Sequence, residues 1–173
     1  DGMGITTIPA YALPSLLPFI PTEQMNRISN LTYAPVMQVC VGLRNTYGKE
    51  FPAFGGLVPS CEQKSVLGIL FPSACFSNRS PKDGALYSYF LGGTRHPELL
   101  TKSNDEITTL IGTTMHEMLN YPVGIVPDLI RIFRHEKAIP QYESSSADRF
   151  TTINELQKQY PGLVLAGNIK GGI

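Results

Sequence analysis

Apolar positions alternate along several short runs, while helical spacing is clear in only two places. Ile5-Thr6-Thr7-Ile8 reads as a β-like run closed by Pro9. Ala10 to Leu17 is apolar enough for a helical turn or two, interrupted by Pro14 and ended by Pro18. Thr22 is a candidate N-cap for a short helix to about Ile28. Val36 to Leu43 (VMQVCVGL) carries β-branched residues on one alternation and predicts a strand. After a turn at Tyr47-Gly48-Lys49, three more strand candidates follow: Phe54–Val58, Val66–Phe71 and Leu86–Leu91. Pro, Ser, Asn and Gly separate them, which suggests an antiparallel meander.

The helical stretches come later. Ser103-Asn104-Asp105-Glu106 has the form of a capping box, with Ser103 as N-cap and Glu106 at the third helical position. Ile107, Leu110, Ile111, Thr114 and Met118 then share a face, and the helix is expected to stop near Asn120, ahead of Pro122. Leu129–Phe133 alternates as a strand. Asp148 is a candidate cap for a helix to about Tyr160 with Phe150, Ile153 and Leu156 inward, and Leu163–Ala166 is a final strand. The order predicts an α+β fold: a mixed, largely antiparallel sheet with helices packed on one face.

Composition narrows the class. In 173 residues, 42% apolar and 16% charged content describes a globular chain with a core of its own. Fourteen acidic and fourteen basic side chains cancel, so no broad field for nucleic acid or an anionic membrane is implied. Cys40, Cys61 and Cys75 are odd in number and lack CxxC spacing, which favours neither a disulfide framework nor a zinc site; a reduced, cytoplasmic setting is the default expectation. The sequence has neither a signal-peptide pattern nor a long apolar run. It begins almost at once in a strand and ends in a turn, which reads as a piece of a larger protein.

Candidate chemistry is sparse. His116-Glu117 starts like a zincin helix, but Asn120 stands where the second imidazole belongs. His96, His116 and His135 have no ligand spacing, so no metal site is expected, and no catalytic residue is assigned. There is no Gly-x-Ser-x-Gly elbow and no complete GxGxxG fingerprint. Asn30-Leu31-Thr32 fits a glycosylation pattern by chance, and the cysteines read as core or loop residues. The last residues, Leu163 to Ile173, form an apolar strand running into a glycine-rich turn. Such a turn is commonly an ordinary one, yet it can also bring backbone N–H groups close to an anionic or planar ligand.

Four collinear segments carry a more specific signal. ITTIPAYALPSLL, then AFGGLVPSCEQKSVLGILFPSACFSNRSP with LYSYFLGG, then RHEKAIPQY, and finally LAGNIKGGI together resemble the C-terminal part of the protoporphyrinogen oxidases. These are flavoproteins of the amine-oxidase superfamily. The resemblance implies a six-electron oxidation of protoporphyrinogen IX to protoporphyrin IX in haem biosynthesis, with hydride equivalents passing to FAD and molecular oxygen as acceptor. It implies segments from 1–20 that return from an FAD domain, a substrate-binding domain over 21–143, and 144–173 leading back through helix, strand and glycine turn. Leu57, Leu70 and Phe90 map to the apolar walls for the macrocycle, and Gly92 and Gly93 to backbone lying close to it. His135, Ala166, Gly167, Gly171, Gly172 and Ile173 map to flavin contacts. Gly-His, common in the family after Pro-Gln-Tyr, is replaced here by Ser145-Ser146.

The family's N-terminal pyrophosphate-binding unit, its helical membrane-associating part and its propionate-pairing arginine have no counterpart here, so this chain alone is not expected to hold FAD or turn over. For the whole protein the resemblance implies a porphyrinogen as partner and no nucleic acid, with peripheral attachment at the inner membrane and a homodimer as further expectations. Coproporphyrinogen oxidation by the same fold is the near rival; it would call on cations such as Arg44, Lys49, Arg79 or Arg95. Another flavin amine oxidase or desaturase, or a stand-alone porphyrin-binding module, are the remaining alternatives.

Overall fold

The computed structural model describes residues 2–171, and its elements fall into two compact units. One is continuous, from Pro35 to Ala138; the other is built from the two flanks, up to Ala34 and from Ile139 onward.

The continuous unit is a five-stranded sheet in the order β3-β4-β5-β2-β6. Its strands are β2 (Tyr33–Leu43), β3 (Gly55–Leu57), β4 (Val66–Leu70), β5 (Ala85–Gly92) and β6 (Leu129–Pro140). The β3-β4, β4-β5 and β5-β2 pairs are antiparallel. The strand period is two, so one set of cross-strand pairs faces one way: Met37 with Leu91, Val39 with Tyr89, Val41 with Tyr87, Leu43 with Ala85. This set is buried against α4 (Asn104–Leu119) through Ile107, Ile111, Met115 and Leu119. Phe51 stacks on Phe71 at 5.1 Å between ring centroids and closes one end of the core.

Helix α4 carries the expected capping box. Ser103 Oγ accepts from the Glu106 backbone N–H at 3.2 Å, and Glu106 Oε2 accepts from the Ser103 N–H at 2.9 Å. Its buried stripe runs through Met115 and Leu119, whereas Leu110 and Met118 are half-buried. Thr114 is buried as expected, and because each four-residue step from Ile107 advances about 40° around the helix, the buried stripe winds toward Met115 and Leu119. Asn120 ends the helix in a left-handed conformation, φ +55°.

The flanking unit pairs β1 (Gly4–Thr6) in parallel with β7 (Leu163–Leu165). Around them lie α1 (Leu13–Leu16), α2 (Thr22–Ser29) and α5 (Ser146–Gln159), with Leu13, Ile28, Ile153, Leu156, Leu165 and Ile169 in the core. Helix α3 (Pro72–Cys75) is a single turn in the other unit.

Two helix starts differ from the expectation. Pro21, not Thr22, occupies the cap of α2, and no side chain caps it. The rigid φ of Pro21 sets the chain's entry, and Thr22 is already helical. Helix α5 begins at Ser146, so Asp148 lies in its first turn instead of capping it. The inward face of α5 is Arg149, Thr152, Ile153 and Leu156, with Phe150 half-buried. A guanidinium that finds internal acceptors takes the place that periodicity would give an apolar side chain.

Candidate functional site

The sheet's second face collects the three apolar wall candidates. Gln38 lies across from Phe90, Cys40 from Ser88, Leu70 from Ser88, and Gly68 from both Leu57 and Phe90. Directly opposed residues share a face, so Leu57, Leu70 and Phe90 sit on the side of the sheet away from α4. Leu57 is 88% exposed, an unusual position for a strand leucine, and Leu70 and Phe90 are half-buried. Glycines flatten this surface: a Cβ on Gly68 would lie 3.1 Å from Leu57 Cδ2, and one on Gly55 would lie 2.8 Å from Leu70 Cδ2. Sequence reading missed Gly68. Its signal was a lone glycine inside a strand pattern, which marks a close approach.

A small polar group sits amid this face. Gln38 Nε2 donates to Ser88 Oγ at 2.7 Å, and Cys40 Sγ lies 3.8 Å from the same hydroxyl. Gly92 and Gly93 follow at the end of β5 with φ of +92° and +70°. The Gly93 N–H donates to Pro35 O at 2.7 Å. Leu100 Cδ1 and Pro35 O stand 2.8 and 3.3 Å from where a Gly92 Cβ would be, so protein already fills that space.

The glycine turn after β7 belongs to the flanking unit. Gly167 has φ +84°, and Thr7 O lies 3.2 Å from its missing Cβ. Ala166 is half-buried and its N–H donates to Thr6 O at 2.9 Å. Asn168 Oδ1 is buried and accepts no hydrogen bond from the described residues. Gly171 has φ +146°, with open space where a Cβ would point. Gly172 and Ile173 lie outside the described residues. His135 is exposed on β6, in the continuous unit.

The charged candidates are dispersed over the continuous unit. Arg44 pairs loosely with Asp128 at 3.8 Å, and Arg79 stacks over the Phe76 ring at 5.7 Å. Arg95, His96 and Lys64 line a cleft of about 320 Å³. Lys49 lies on a separate cavity of about 590 Å³ floored by Phe51, Phe71 and Tyr87. Among the described residues no group of three or more His, Cys, Asp or Glu could hold a metal. The zincin-like pair has other work: His116 Nδ1 donates to Tyr121 O at 2.8 Å, and Glu117 accepts from Lys64 at 2.7 Å. That contact raises the Lys64 pKa and lowers that of Glu117. No helix among the described residues is long and apolar enough to cross a membrane.

The continuous unit thus carries Leu57, Leu70 and Phe90 on the sheet face away from α4, and the flanking unit carries a strand that runs into a glycine turn. Residues 5–171 match the family described as flavin-containing amine oxidoreductase, and the chain belongs to that family. Within it, the chain is similar to protoporphyrinogen oxidases. It is 32% identical to protoporphyrinogen oxidase 2, chloroplastic/mitochondrial, of Arabidopsis thaliana over 154 residues, covering 87% of this chain and 30% of that protein. It is also 32% identical to the mitochondrial protoporphyrinogen oxidase of Nicotiana tabacum over 153 residues, covering 86% and 30%. The fold is shared with a candidate protoporphyrinogen oxidase from Exiguobacterium sp. 255-15, at a TM-score of 0.72 and 21% identity, covering 98% of this chain and 37% of that one. The chain thus spans about a third of the length of the relatives it matches.

Proposed function

We propose that this chain supplies the substrate-binding sheet and a flavin-contacting turn of an FAD-dependent protoporphyrinogen oxidase. The observation that carries this reading is the placement of Leu57, Leu70 and Phe90 on one face of the sheet, turned away from its core. A large, flat, apolar macrocycle needs apolar walls more than an acid–base constellation, and that is what this face offers. Gly55 and Gly68 keep the surface flat enough for a planar ring. In this reading Gly92 and Gly93 border the substrate, and Ser88 holds the Gln38 amide among the apolar walls.

The residues of the glycine turn fit a flavin. Gly171 has open space where a side chain would point, so the turn leaves room for a ligand to approach its backbone. Ala166, Gly167, Gly171, Gly172 and Ile173 would hold the cofactor, and His135 is a further flavin-contact candidate that rests on the family resemblance alone. When bound, FAD supplies the two-electron acceptor that no side chain of this chain provides. The chain's own contribution is to orient the macrocycle, exclude water from its face and fix the turn. Molecular oxygen is the terminal acceptor in this reading. Residues 21–143 act as the substrate part, and 1–20 with 144–173 lead to the cofactor part.

The test is an assay of the full-length protein with protoporphyrinogen IX and with coproporphyrinogen III, following porphyrin fluorescence. Preference for protoporphyrinogen is expected. Preference for coproporphyrinogen would move the assignment to the rival, with Arg44, Lys49, Arg79 and Arg95 as its cation candidates. Turnover of neither would refute both. Adding FAD to the present chain by itself should give no stoichiometric quenching of flavin fluorescence.

A further inference from the structure

Arg149 is 4% exposed, and among the described residues no carboxylate pairs with it. Burying a charge without a counter-ion is costly, so such a side chain is kept for a reason beyond packing. Its donors are not idle. Nε donates to Ile169 O at 3.0 Å, and one terminal nitrogen donates to Ser146 Oγ at 3.1 Å. The guanidinium also lies 5.2 Å from the Phe150 ring centroid and 5.7 Å from that of Tyr142. Tyr142 in turn donates its hydroxyl to Asn168 O at 2.8 Å. Two consecutive carbonyls of the glycine turn, those of Asn168 and Ile169, are therefore each held by a side-chain donor.

That clamp decides which way the turn faces. In a trans peptide the C=O and N–H point in opposite directions. Fixing the Asn168 carbonyl toward Tyr142 therefore directs the Ile169 N–H away from it. Fixing the Ile169 carbonyl toward Arg149 does the same for the Lys170 N–H, which bonds Gly167 O at 3.2 Å and tightens the turn. Asn168 Oδ1, buried and without a donor among the described residues, belongs to the same turn. Among the described residues, the turn thus carries a buried acceptor without a donor and is held from α5 by a buried cation without a carboxylate.

We propose that Arg149, with Tyr142, is a positioning residue for the flavin: it sets the Gly167–Gly171 turn in its ligand-ready conformation and supplies a fixed positive charge behind it. This rests on the reading that the turn contacts FAD. The Ser145-Ser146 departure from Gly-His fits the same device, because Ser146 Oγ is one of the guanidinium's two acceptors. A flavin gains electron density on reduction, so a buried cation nearby favours the reduced form and raises the midpoint potential.

The experiment measures FAD affinity by fluorescence quenching, and the flavin midpoint potential, in the full-length protein. Arg149→Met should weaken FAD binding by about tenfold or more and lower the potential. Arg149→Lys keeps the charge but not the planar geometry of the guanidinium; it should hold the potential near wild type while weakening binding. Tyr142→Phe removes one hydroxyl from an exposed ring and should weaken binding several-fold without unfolding the protein, so it decides the matter even if Arg149→Met fails to fold. Wild-type FAD affinity in folded Tyr142→Phe and Arg149→Lys would overturn the clamp, whatever Arg149→Met does. A wild-type protein that binds no FAD would instead sink the functional reading beneath it.

Discussion

The hydroxyls of Tyr87 on β5 and Tyr121, just past the end of α4, share a hydrogen bond of 2.6 Å inside the sheet unit. It joins the sheet to the helix that covers it, and burial with this bond pushes the Tyr87 pKa far up. Two residues further along β5, Tyr89 buries a hydroxyl with no partner among the described residues. Removing one partner of a buried bond costs more than removing a lone hydroxyl. Tyr121→Phe should therefore destabilise by about 1–2 kcal/mol, whereas Tyr89→Phe should be neutral or mildly stabilising. Chemical denaturation of both variants and of the Tyr87→Phe/Tyr121→Phe double variant checks this. Equal losses for Tyr89→Phe and Tyr121→Phe would contradict it.

Glu106 is tied into the capping box and to Lys102 at 2.9 Å. The Lys102 ammonium and the Ser103 donors hold its carboxyl down to about 2 from an ordinary value of 4.5. A folded-state pKa below the unfolded one gives stability that is complete above the unfolded value and fades as pH falls toward the folded one. The contribution of Glu106 is thus full at pH 6 and lost progressively between about pH 5 and pH 2. Melting temperature measured against pH for wild type and Glu106→Gln should give curves that converge in acid. A gap that stays constant down to pH 2.5 would show that the charge is not the cause.

On the sheet face that carries Leu57, Leu70 and Phe90, exposure separates folding from binding. Leu57→Ala removes an exposed side chain and should change stability by less than about 0.5 kcal/mol. If the face receives the macrocycle, the same change should lower kcat/KM for protoporphyrinogen by about tenfold or more, the worth of burying a leucine. Phe90→Ala should lower both, because Phe90 is half-buried and lies across from Gln38 and Gly68. Leu57→Ala with unchanged kcat/KM would remove that side chain from the substrate contact.

Strand alternation and the capping box made much of the sheet and α4 legible in the sequence. The runs around Val36–Leu43, Val66–Phe71 and Leu86–Leu91 appear as β2, β4 and β5, and Ser103 caps α4 as its spacing implies. Local periodicity could not show which residues meet across strands. That Leu57, Gly68 and Phe90 line up in one row depends on register, which is fixed only when β3, β4 and β5 pair. Arg149 was illegible for a different reason. Arginine is ordinarily a surface residue, and its burial depends on two carbonyl and hydroxyl acceptors that the fold brings to it. The β1–β7 pair was equally hidden, since parallel partners lie at opposite ends of the chain.

Gly92 and Gly93 test whether a glycine serves the fold or a ligand. Both have positive φ, so an alanine at either position is strained by about 1–2 kcal/mol whatever its surroundings. At Gly92 the new methyl would also meet Leu100 Cδ1 at 2.8 Å and Pro35 O at 3.3 Å, so Gly92→Ala should lose the more stability. At Gly93 the nearest atom is Leu67 Cδ1 at 3.3 Å, the tip of a flexible side chain. Gly93→Asn, which tolerates the left-handed region, should therefore recover much of the stability lost in Gly93→Ala. It should not recover substrate affinity if the backbone at Gly93 lies against the macrocycle, because the obstruction there is volume. Thermal unfolding alongside KM for protoporphyrinogen separates the two roles. Recovery of both in Gly93→Asn would assign Gly93 to the turn alone.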